Sequence, residues 1–197
     1  MRPAIFFLLV CCLCSPLAIA RADSGDQPFR LHSIQARFVQ KKEMKILARP
    51  LVSTGTFIFE APQSLRWQYH QPVASLLLMH EGRIRKFVGR NGKLVEEKGA
   101  QLDGMQMVLA QLSDWLDGRF SDNEMFRVVS ADEARVVLEP HQPGLARLIP
   151  SIEIVFGKQR GLIDAIKLHE GPEAATTITF SDRILNEEIA ETVFISK

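Results

Sequence analysis

The chain has 197 residues, of which 46% are hydrophobic and 24% charged, and its formal net charge is +1. A chain of this size and composition can bury a substantial core within one domain. The balanced charge forms no basic stripe of the kind that binds nucleic acid, so we expect no nucleic-acid partner.

The N-terminal residues have the pattern of a secretory signal peptide. A charged start precedes an apolar run from Ala4 to Leu13, and small residues favour cleavage after Ala22 or, alternatively, after Ala20. The run is shorter than the ~20 apolar residues of a transmembrane helix, and no later stretch approaches that length. We therefore expect a signal peptide over residues 1–22, then a single exported domain over residues 23–197.

The three cysteines, Cys11, Cys12 and Cys14, all lie in the predicted signal peptide. The mature chain would then have no disulfide, no thiolate metal site and no cysteine nucleophile. Lipidation of one of these cysteines is the alternative, although none follows the small residue that such anchors require.

The next elements of the chain predict the start of a β-sheet. Pro28–Ser33 favours a short helix, and the alternation of Ile34, Ala36 and Phe38 predicts a strand. We interpret the lysines that follow, Lys41 and Lys42, as a solvated strand end.

The most informative stretch predicts a hairpin with its turn at Ala61-Pro62-Gln63. Proline fixes its own φ and pushes the preceding residue towards extended geometry, which favours a hairpin over a helix. At a period of two, five large apolar side chains fall on one face. They are Phe57, Phe59, Leu65, Trp67 and Tyr69. So much apolar surface on one hairpin fits an ordinary core or the wall of a ligand site.

The remaining alternating stretches predict a series of strands joined by turns. Asn91-Gly92 is a strong hairpin signal, because both positions accept positive φ. We expect 140–150 to be a loop. The strands are expected at Ala74–His80, Ile84–Val88, from Leu94, and at Phe126–Ser130, Arg135–Glu139, Ile152–Phe156, Ile163–His169 and Thr176–Phe180, with a last extended segment at Val193–Ile195.

The period changes once, between the sixth and seventh strands. Apolar residues there recur at spacings of three and four, which predicts one amphipathic helix that Asp103 can cap and Gly118 can end. Its apolar face comprises Met105, Val108, Leu109, Leu112, Trp115 and Leu116.

About eleven strands and one helix predict a mainly β fold: an incomplete, half-open antiparallel β-barrel with a helical lid. A sheet of this size encloses more volume than its own side chains fill, so we expect an apolar cavity for an apolar guest. The same stripes also fit a solidly packed core without a cavity. The predicted lipid-binding residues are Phe38, Phe57, Phe59, Leu65, Trp67, Tyr69, Leu76, Leu78, Met105, Val108, Leu109, Leu112, Trp115, Leu116, Ile154, Phe156, Ile178 and Phe180.

The sequence contains no motif that specifies catalysis. Nucleophile elbows, zinc-binding H-E-x-x-H and phosphate-binding glycine loops are all absent, and the five histidines lack metal-ligand spacing. We therefore expect a protein that is not an enzyme and needs no cofactor or metal.

Several short runs resemble the periplasmic outer-membrane lipoprotein carrier family, the LolA type. They are Phe38-Val39-Gln40, Ser53-Thr54-Gly55-Thr56-Phe57, Ala61-Pro62, Leu65-Arg66-Trp67-Gln68-Tyr69, Gln71-Pro72, Glu81-Gly82 and the late Phe180-Ser181-Asp182 with Asn186 and Phe194. The resemblance implies an incomplete eleven-stranded barrel under a helical lid that shelters the acyl chains of lipoproteins. It also implies an inner-membrane donor and an outer-membrane acceptor, and we expect a monomer.

Two departures from the family pattern indicate a divergent member. The family typically has an arginine immediately before the hairpin proline, where it contacts the lid and helps to hand cargo on, and this chain has Ala61 there. The family also often continues beyond its last phenylalanine, whereas this sequence ends three residues after Phe194. The cargo could therefore be another acylated molecule, such as a glycolipid. The alternatives are a lipid-sensing or adaptor module of the envelope and a lipidated acceptor.

Overall fold

A computed structural model of the protein describes residues 31–97, 111–116, 119–120, 124–158 and 162–197. These residues form eleven strands and three short helices. The strands are β1 (Ser33–Met44), β2 (Leu51–Glu60), β3 (Ser64–Gln71), β4 (Ser75–His80), β5 (Arg83–Arg90), β6 (Lys93–Glu96), β7 (Phe126–Ala131), β8 (Arg135–Pro140), β9 (Ser151–Phe156), β10 (Ile163–His169) and β11 (Ala174–Leu185). The helices are α1 (Leu112–Leu116), α2 (Pro143–Leu148) and α3 (Thr192–Ile195).

All eleven strands belong to one antiparallel sheet, in the order β6-β5-β4-β3-β2-β1-β11-β10-β9-β8-β7. The sheet is open, with β6 and β7 at its two edges. This confirms the predicted mainly β, eleven-stranded fold as an open sheet that does not close into a barrel. Because β6 and β7 follow each other in the chain, the segment that carries α1 connects one edge to the other.

The predicted hairpin is present, with the predicted face buried. Phe57 of β2 pairs with Trp67 of β3, and Phe59 pairs with Leu65. Each of these four side chains is at most 3% exposed. We call this face of the sheet, which carries the core, the inner face.

Side chains on the inner face converge from distant strands. Trp67 lies on β3 and Phe180 on β11, three strands away, which in a flat sheet would separate the backbones by about 14 Å. Their ring centroids are nevertheless 6.1 Å apart. The sheet therefore curls around these residues, and one core extends from Leu77 of β4 to Phe126 of β7.

The opposite, outer face of the sheet is partly covered by α3. Phe194 of α3 is 1% exposed and its ring stacks on His80 at 5.9 Å. Arg66 donates hydrogen bonds to the carbonyl oxygens of Val193 and Ser196 at 3.0 and 2.7 Å, so that the helix end has partners for its carbonyl groups. Burial lowers the pKa of the Arg66 guanidinium from its ordinary value.

Three local predictions are wrong. The Val193–Ile195 segment, expected to be extended, is helical because docking of Phe194 overrides the strand preference of its β-branched neighbours. The predicted loop 140–150 contains α2, with Pro143 in its first turn and Leu145 buried. Ser33, expected at the end of a short helix, begins β1.

Asn186, which belongs to the late sequence motif, connects two strand ends. Its φ is +56°, a left-handed conformation that asparagine tolerates, and its Oδ1 accepts a hydrogen bond from the His32 amide at 2.7 Å. Its own amide bonds the carbonyl oxygen of Ser33. The end of β11 is thereby attached to the start of β1.

No helix in the described ranges is long and apolar enough to cross a membrane.

Gly55 should be essential for folding. A Cβ atom there would lie 2.0 Å from the Gln68 carbonyl oxygen and within 2.7 Å of the Phe38 ring. Gly55→Ala should therefore destabilise the protein by about 3 kcal/mol, measured as a lower urea midpoint. The control is Gly144→Ala in α2, where a Cβ meets nothing within 4 Å. That variant should be neutral or more stable by up to about 1 kcal/mol, and equal effects of the two would contradict the packing argument.

Candidate binding site on the inner face

The middle of the inner face is an aromatic wall, which we define as Phe38, Phe57, Phe59, Trp67 and Phe180. Trp67 lies at its centre, with ring centroids 4.3 Å from Phe38 and 5.4 Å from Phe57. All five are at most 8% exposed. Alternation in four strands places them together, because each strand turns every second side chain to the same side.

Helix α1 contributes to the same core as the aromatic wall. Leu112, Trp115 and Leu116 are at most 8% exposed and belong to the core. The Trp115 ring lies 5.7 Å from that of Phe126, in the edge strand β7. The helix therefore packs onto the inner face with the face that its spacing predicts, in a segment that joins the two edges of the sheet.

Thirteen of the eighteen predicted lipid-binding residues lie in this core or pack against it. They are Phe38, Phe57, Phe59, Leu65, Trp67, Tyr69, Leu112, Trp115, Leu116, Ile154, Phe156, Ile178 and Phe180. Met105, Val108 and Leu109 lie outside the described residues, as do the expected helix ends at Asp103 and Gly118.

Leu76 and Leu78, two more of the predicted lipid-binding residues, do not lie on the same face as Trp67, although Leu76 borders the cleft described below. Trp67 pairs with Leu77, so Leu77 shares the inner face and its neighbours point outwards. Leu76 and Leu78 form a small outer cluster with Phe87. Because β4 is apolar on both faces, its sequence does not reveal which set faces the core.

One end of the inner face is polar. Along β1, Ala36 and Phe38 are followed on the same side by Gln40 and Lys42. The register aligns Gln40 with Ser53 of β2, and Lys42 with Thr176 of β11. Where the apolar and polar zones meet, the Tyr69 hydroxyl donates to Gln40 Oε1 at 2.7 Å.

A cleft of about 670 Å³ lies at this boundary. This volume falls within the ~300–1,000 Å³ usual for small-molecule sites. Its lining combines apolar and polar side chains: Gln40, Lys42, Ser53, Trp67, Tyr69, Pro72, Val73, Ser75, Leu76, Leu77, Lys86, Val88, Leu148, Ile149, Glu170 and Thr176. Among them Val73 and Leu148 are exposed large apolar residues, 64% and 61% accessible, so the cleft presents unfilled apolar surface to solvent.

The charged groups of the cleft are arranged in pairs. Lys42 Nζ lies 3.0 Å from a carboxylate oxygen of Glu170, and the Thr176 hydroxyl donates to Glu170 at 3.0 Å. Lys86 Nζ lies 3.5 Å from Glu97. Lys42, interpreted from the sequence as part of a solvated strand end, belongs to this group of paired charges instead. The available signal was the period of two, which separates Lys42 on the inner face from Lys41 on the outer face.

A second cavity, of about 270 Å³, lies between the hairpin turn and α1. It is lined by Pro62 and Met79 on the sheet side and by Asp114 and Arg119, which form an ion pair at 2.7 Å. Ala61 occupies the position at which the carrier family typically has an arginine. Its backbone amide donates to the carbonyl oxygen of His32.

Two buried donors stand out in the core. The indole nitrogens of Trp67 and Trp115 have no hydrogen-bond acceptor among the residues that the structure describes. Buried N–H groups without partners are uncommon, because each forgoes a bond that water would supply. Trp67 also borders the cleft.

The fold is an open antiparallel sheet with an apolar inner face and a cleft that is accessible to solvent. The model of the LolA family, described as "Outer membrane lipoprotein carrier protein LolA", matches residues 30–197, and the chain belongs to this family. The resemblance identified from the sequence is thereby confirmed. Members of this family are carriers and not enzymes.

Solved structures are similar to the chain at low sequence identity. A DUF1329 family protein from Desulfovibrio piger is 10% identical with a TM-score of 0.50, covering 83% of this chain and 90% of that one. A LolA superfamily protein from Nitrosomonas europaea is 9% identical with a TM-score of 0.43, covering 84% and 91%. MucB in the Pseudomonas aeruginosa MucA/MucB complex is 18% identical with a TM-score of 0.36, covering 84% and 56%. No curated protein sequence matches the chain.

The polar end of the site should tolerate substitution, whereas the aromatic wall should not. Lys42 and Glu170 keep 36% and 22% of their side-chain surface exposed. We therefore expect Glu170→Gln to change the free energy of unfolding by no more than about 1 kcal/mol. Phe57→Ala should cost about 3–5 kcal/mol through the cavity that it leaves. Urea unfolding measures both, and a Glu170 variant as unstable as the Phe57 variant would contradict this division.

Proposed function

We propose that the protein is a periplasmic carrier that shelters the acyl chains of a lipoprotein, or of another lipidated molecule, between the inner and outer membranes. One observation carries the proposal: the aromatic wall and the buried side of α1 belong to one core, and α1 is a short helix in the segment that joins the two edges of an open sheet. Such a helix can be displaced without breaking the ladder of the sheet. Membership of the outer-membrane lipoprotein carrier family supports the same function.

The magnitudes are compatible with a lid that a guest displaces. Burying a C16 chain is worth about 12 kcal/mol, at ~0.8 kcal/mol per CH₂. The three buried side chains of α1 contribute at most about 6–10 kcal/mol, from ~25 cal/mol per Å². A single chain can therefore replace α1 with a few kcal/mol to spare. The closed helix offsets the gain from cargo and keeps release possible.

We infer that the carrier receives its cargo from an inner-membrane donor, delivers it to an outer-membrane acceptor and works as a monomer. Ala61 gives the chain no arginine before the hairpin proline. Any contact that helps to hand cargo on must therefore come from other residues, which fits a cargo other than the usual lipoproteins, such as a glycolipid.

Native mass spectrometry tests the carrier function directly. The mature protein should be purified from its own envelope fraction without detergent and measured intact, and its organic extract should then be analysed. We expect a bound species of lipid mass that the extract identifies. Protein without lipid but in a stable protein complex would overturn the carrier function in favour of an envelope sensor or adaptor. The intact mass also reveals whether a cysteine is lipidated.

Loosening α1 should strengthen the binding of an acyl probe. Leu112 is 1% exposed, so Leu112→Gln should weaken helix docking by about 2 kcal/mol. If the closed state dominates, the open fraction and the apparent affinity should rise about 30-fold. Fluorescence titration with a fatty-acid probe measures this.

The matched control for that variant is Leu78→Gln. Leu78 is also 1% exposed but lies in the outer cluster, away from α1. It should lower the unfolding midpoint and leave probe affinity unchanged. Unchanged affinity in the Leu112 variant would count against α1 as the lid.

A further inference from the structure

We propose that the polar end of the inner face is a headgroup subsite, in which Lys42 and Lys86 bind the anionic group of an amphiphile whose acyl chain lies against Trp67 and Leu77. The shared chemistry of the headgroup is a phosphate or carboxylate. This proposal rests on the carrier function and adds a preference for charge, which an apolar cavity alone does not provide.

The inner face changes from apolar to polar along its strands. On β1 the inner-face residues change from Ala36 and Phe38 to Gln40 and Lys42. On β4 the change runs in the antiparallel sense, from Leu77 to Ser75. The register places Ser75 level with Tyr69, Gly55 and Phe38, so the change on β4 comes one inner-face position before the change on β1. The inner face therefore has an apolar zone and a polar zone with a slanted boundary. An amphiphile lying along the strands matches both zones.

The cleft spans the boundary between the apolar and polar zones. Trp67, Leu77 and Leu148 supply apolar lining, and Lys42 and Lys86 supply two ammonium groups to the same 670 Å³ space. The only carboxylate in the described lining is that of Glu170. Glu97 lies outside the lining and pairs with Lys86, and Arg90 lies 3.7 Å from the same carboxylate. Lys42, Lys86 and Arg90 therefore face Glu170 and Glu97, and this excess of one positive charge favours an anionic guest over a neutral one.

Lys42 and Lys86 each form an ion pair with a carboxylate. Glu170 holds Lys42 at 3.0 Å and receives a hydrogen bond from Thr176, while Glu97 lies 3.5 Å from Lys86. These contacts orient both ammonium groups at the cleft and reduce the side-chain entropy that a guest must remove. A phosphate or carboxylate of the guest would replace the Glu170 contact by an equivalent charge-assisted one.

The indole N–H of Trp67 is buried next to the cleft. Trp67 is 1% exposed, borders the cleft and has no acceptor for its Nε1–H among the described residues. An ester or carboxyl oxygen next to the headgroup would supply that acceptor. An amphiphile can thus offer an oxygen to the Trp67 indole as well as an anionic group to the lysines, whereas a hydrocarbon offers neither.

The test compares three probes that share structural parts: 1-palmitoyl lysophosphatidic acid, 1-monopalmitoylglycerol and glycerol 3-phosphate. Each is titrated calorimetrically into the delipidated mature protein, below its micelle concentration and at low salt. We expect the lysophosphatidic acid to bind at least tenfold more tightly than the neutral lipid, and glycerol 3-phosphate to bind at least a hundredfold more weakly. The tenfold preference should shrink as salt screens the charges.

The variants assign the preference to the two lysines. Lys42→Gln combined with Lys86→Gln should abolish the tenfold preference while retaining affinity for the neutral lipid. Lys41→Gln is the matched control, since Lys41 precedes Lys42 but faces outwards. It should keep the preference. Glu170→Gln removes the competing carboxylate and should strengthen lysophosphatidic acid binding severalfold, a gain that a damaged fold would not produce.

Each contrary outcome overturns a distinct claim. Equal binding of the two lipids would refute the headgroup subsite and leave the carrier function standing. A preference that survives in the double variant would refute the roles of Lys42 and Lys86. Glycerol 3-phosphate binding as tightly as the lipid would mark a free-phosphate site instead. Failure of both lipids, with no lipid in the native protein, would refute the carrier function itself.

Discussion

The structure depends on the packing of Trp67 against rings that belong to the three consecutive strands on one side of β3. Phe38 on β1, Phe57 on β2 and Phe180 on β11 all lie within 6.1 Å of its centroid. Rings that bury ~150–250 Å² each dominate the energy of such a contact. Because these strands span four adjacent positions in the sheet, their convergence on one indole requires the sheet to curl. Gly55 belongs to the same constraint, since the Phe38 ring occupies the place of its missing side chain.

Much of this arrangement follows from the sequence. The inner face of the hairpin was predictable because β3 is apolar on one side only, so that alternation leaves no choice of face. The fold class followed from eleven alternating stretches and one change of period. The choice of face on β4 did not follow, because Leu76 and Leu77 are equally apolar and the pairing of Leu77 with Trp67 depends on the register across the turn. Non-local contacts also decide α3, since Arg66 and His80 precede it by more than a hundred residues.

The polar zone was missed for a different reason. A Lys-Lys-Glu run at a strand end is usually solvent-exposed, and Lys41 and Glu43 follow that rule. Lys42 differs because Thr176 lies beside it on β11 and Glu170 lies beyond. The three residues form one charged run in the sequence, but successive side chains of a strand point to opposite faces. Lys42 therefore lies on the inner face, and Lys41 and Glu43 lie on the outer face. Charged residues near the end of an aromatic strand are therefore better assigned to faces individually than interpreted as a run.

The two zones place different demands on a carrier. The cleft at the polar end is open to solvent, so a headgroup can reach Lys42 by exchanging with Glu170 and without any movement of α1. The aromatic wall is buried in the core to which α1 belongs, so in the proposed carrier an acyl chain needs α1 to leave. In the proposed carrier, a headgroup that binds first would hold the guest beside the lid, and the chain would then compete with Leu112 and Trp115 as an intramolecular partner. A tethered chain competes at an effective concentration set by its tether, far above that of free lipid in water. The carrier would thus select the headgroup first and open the lid second. The two events would take place at successive positions along the direction of the strands.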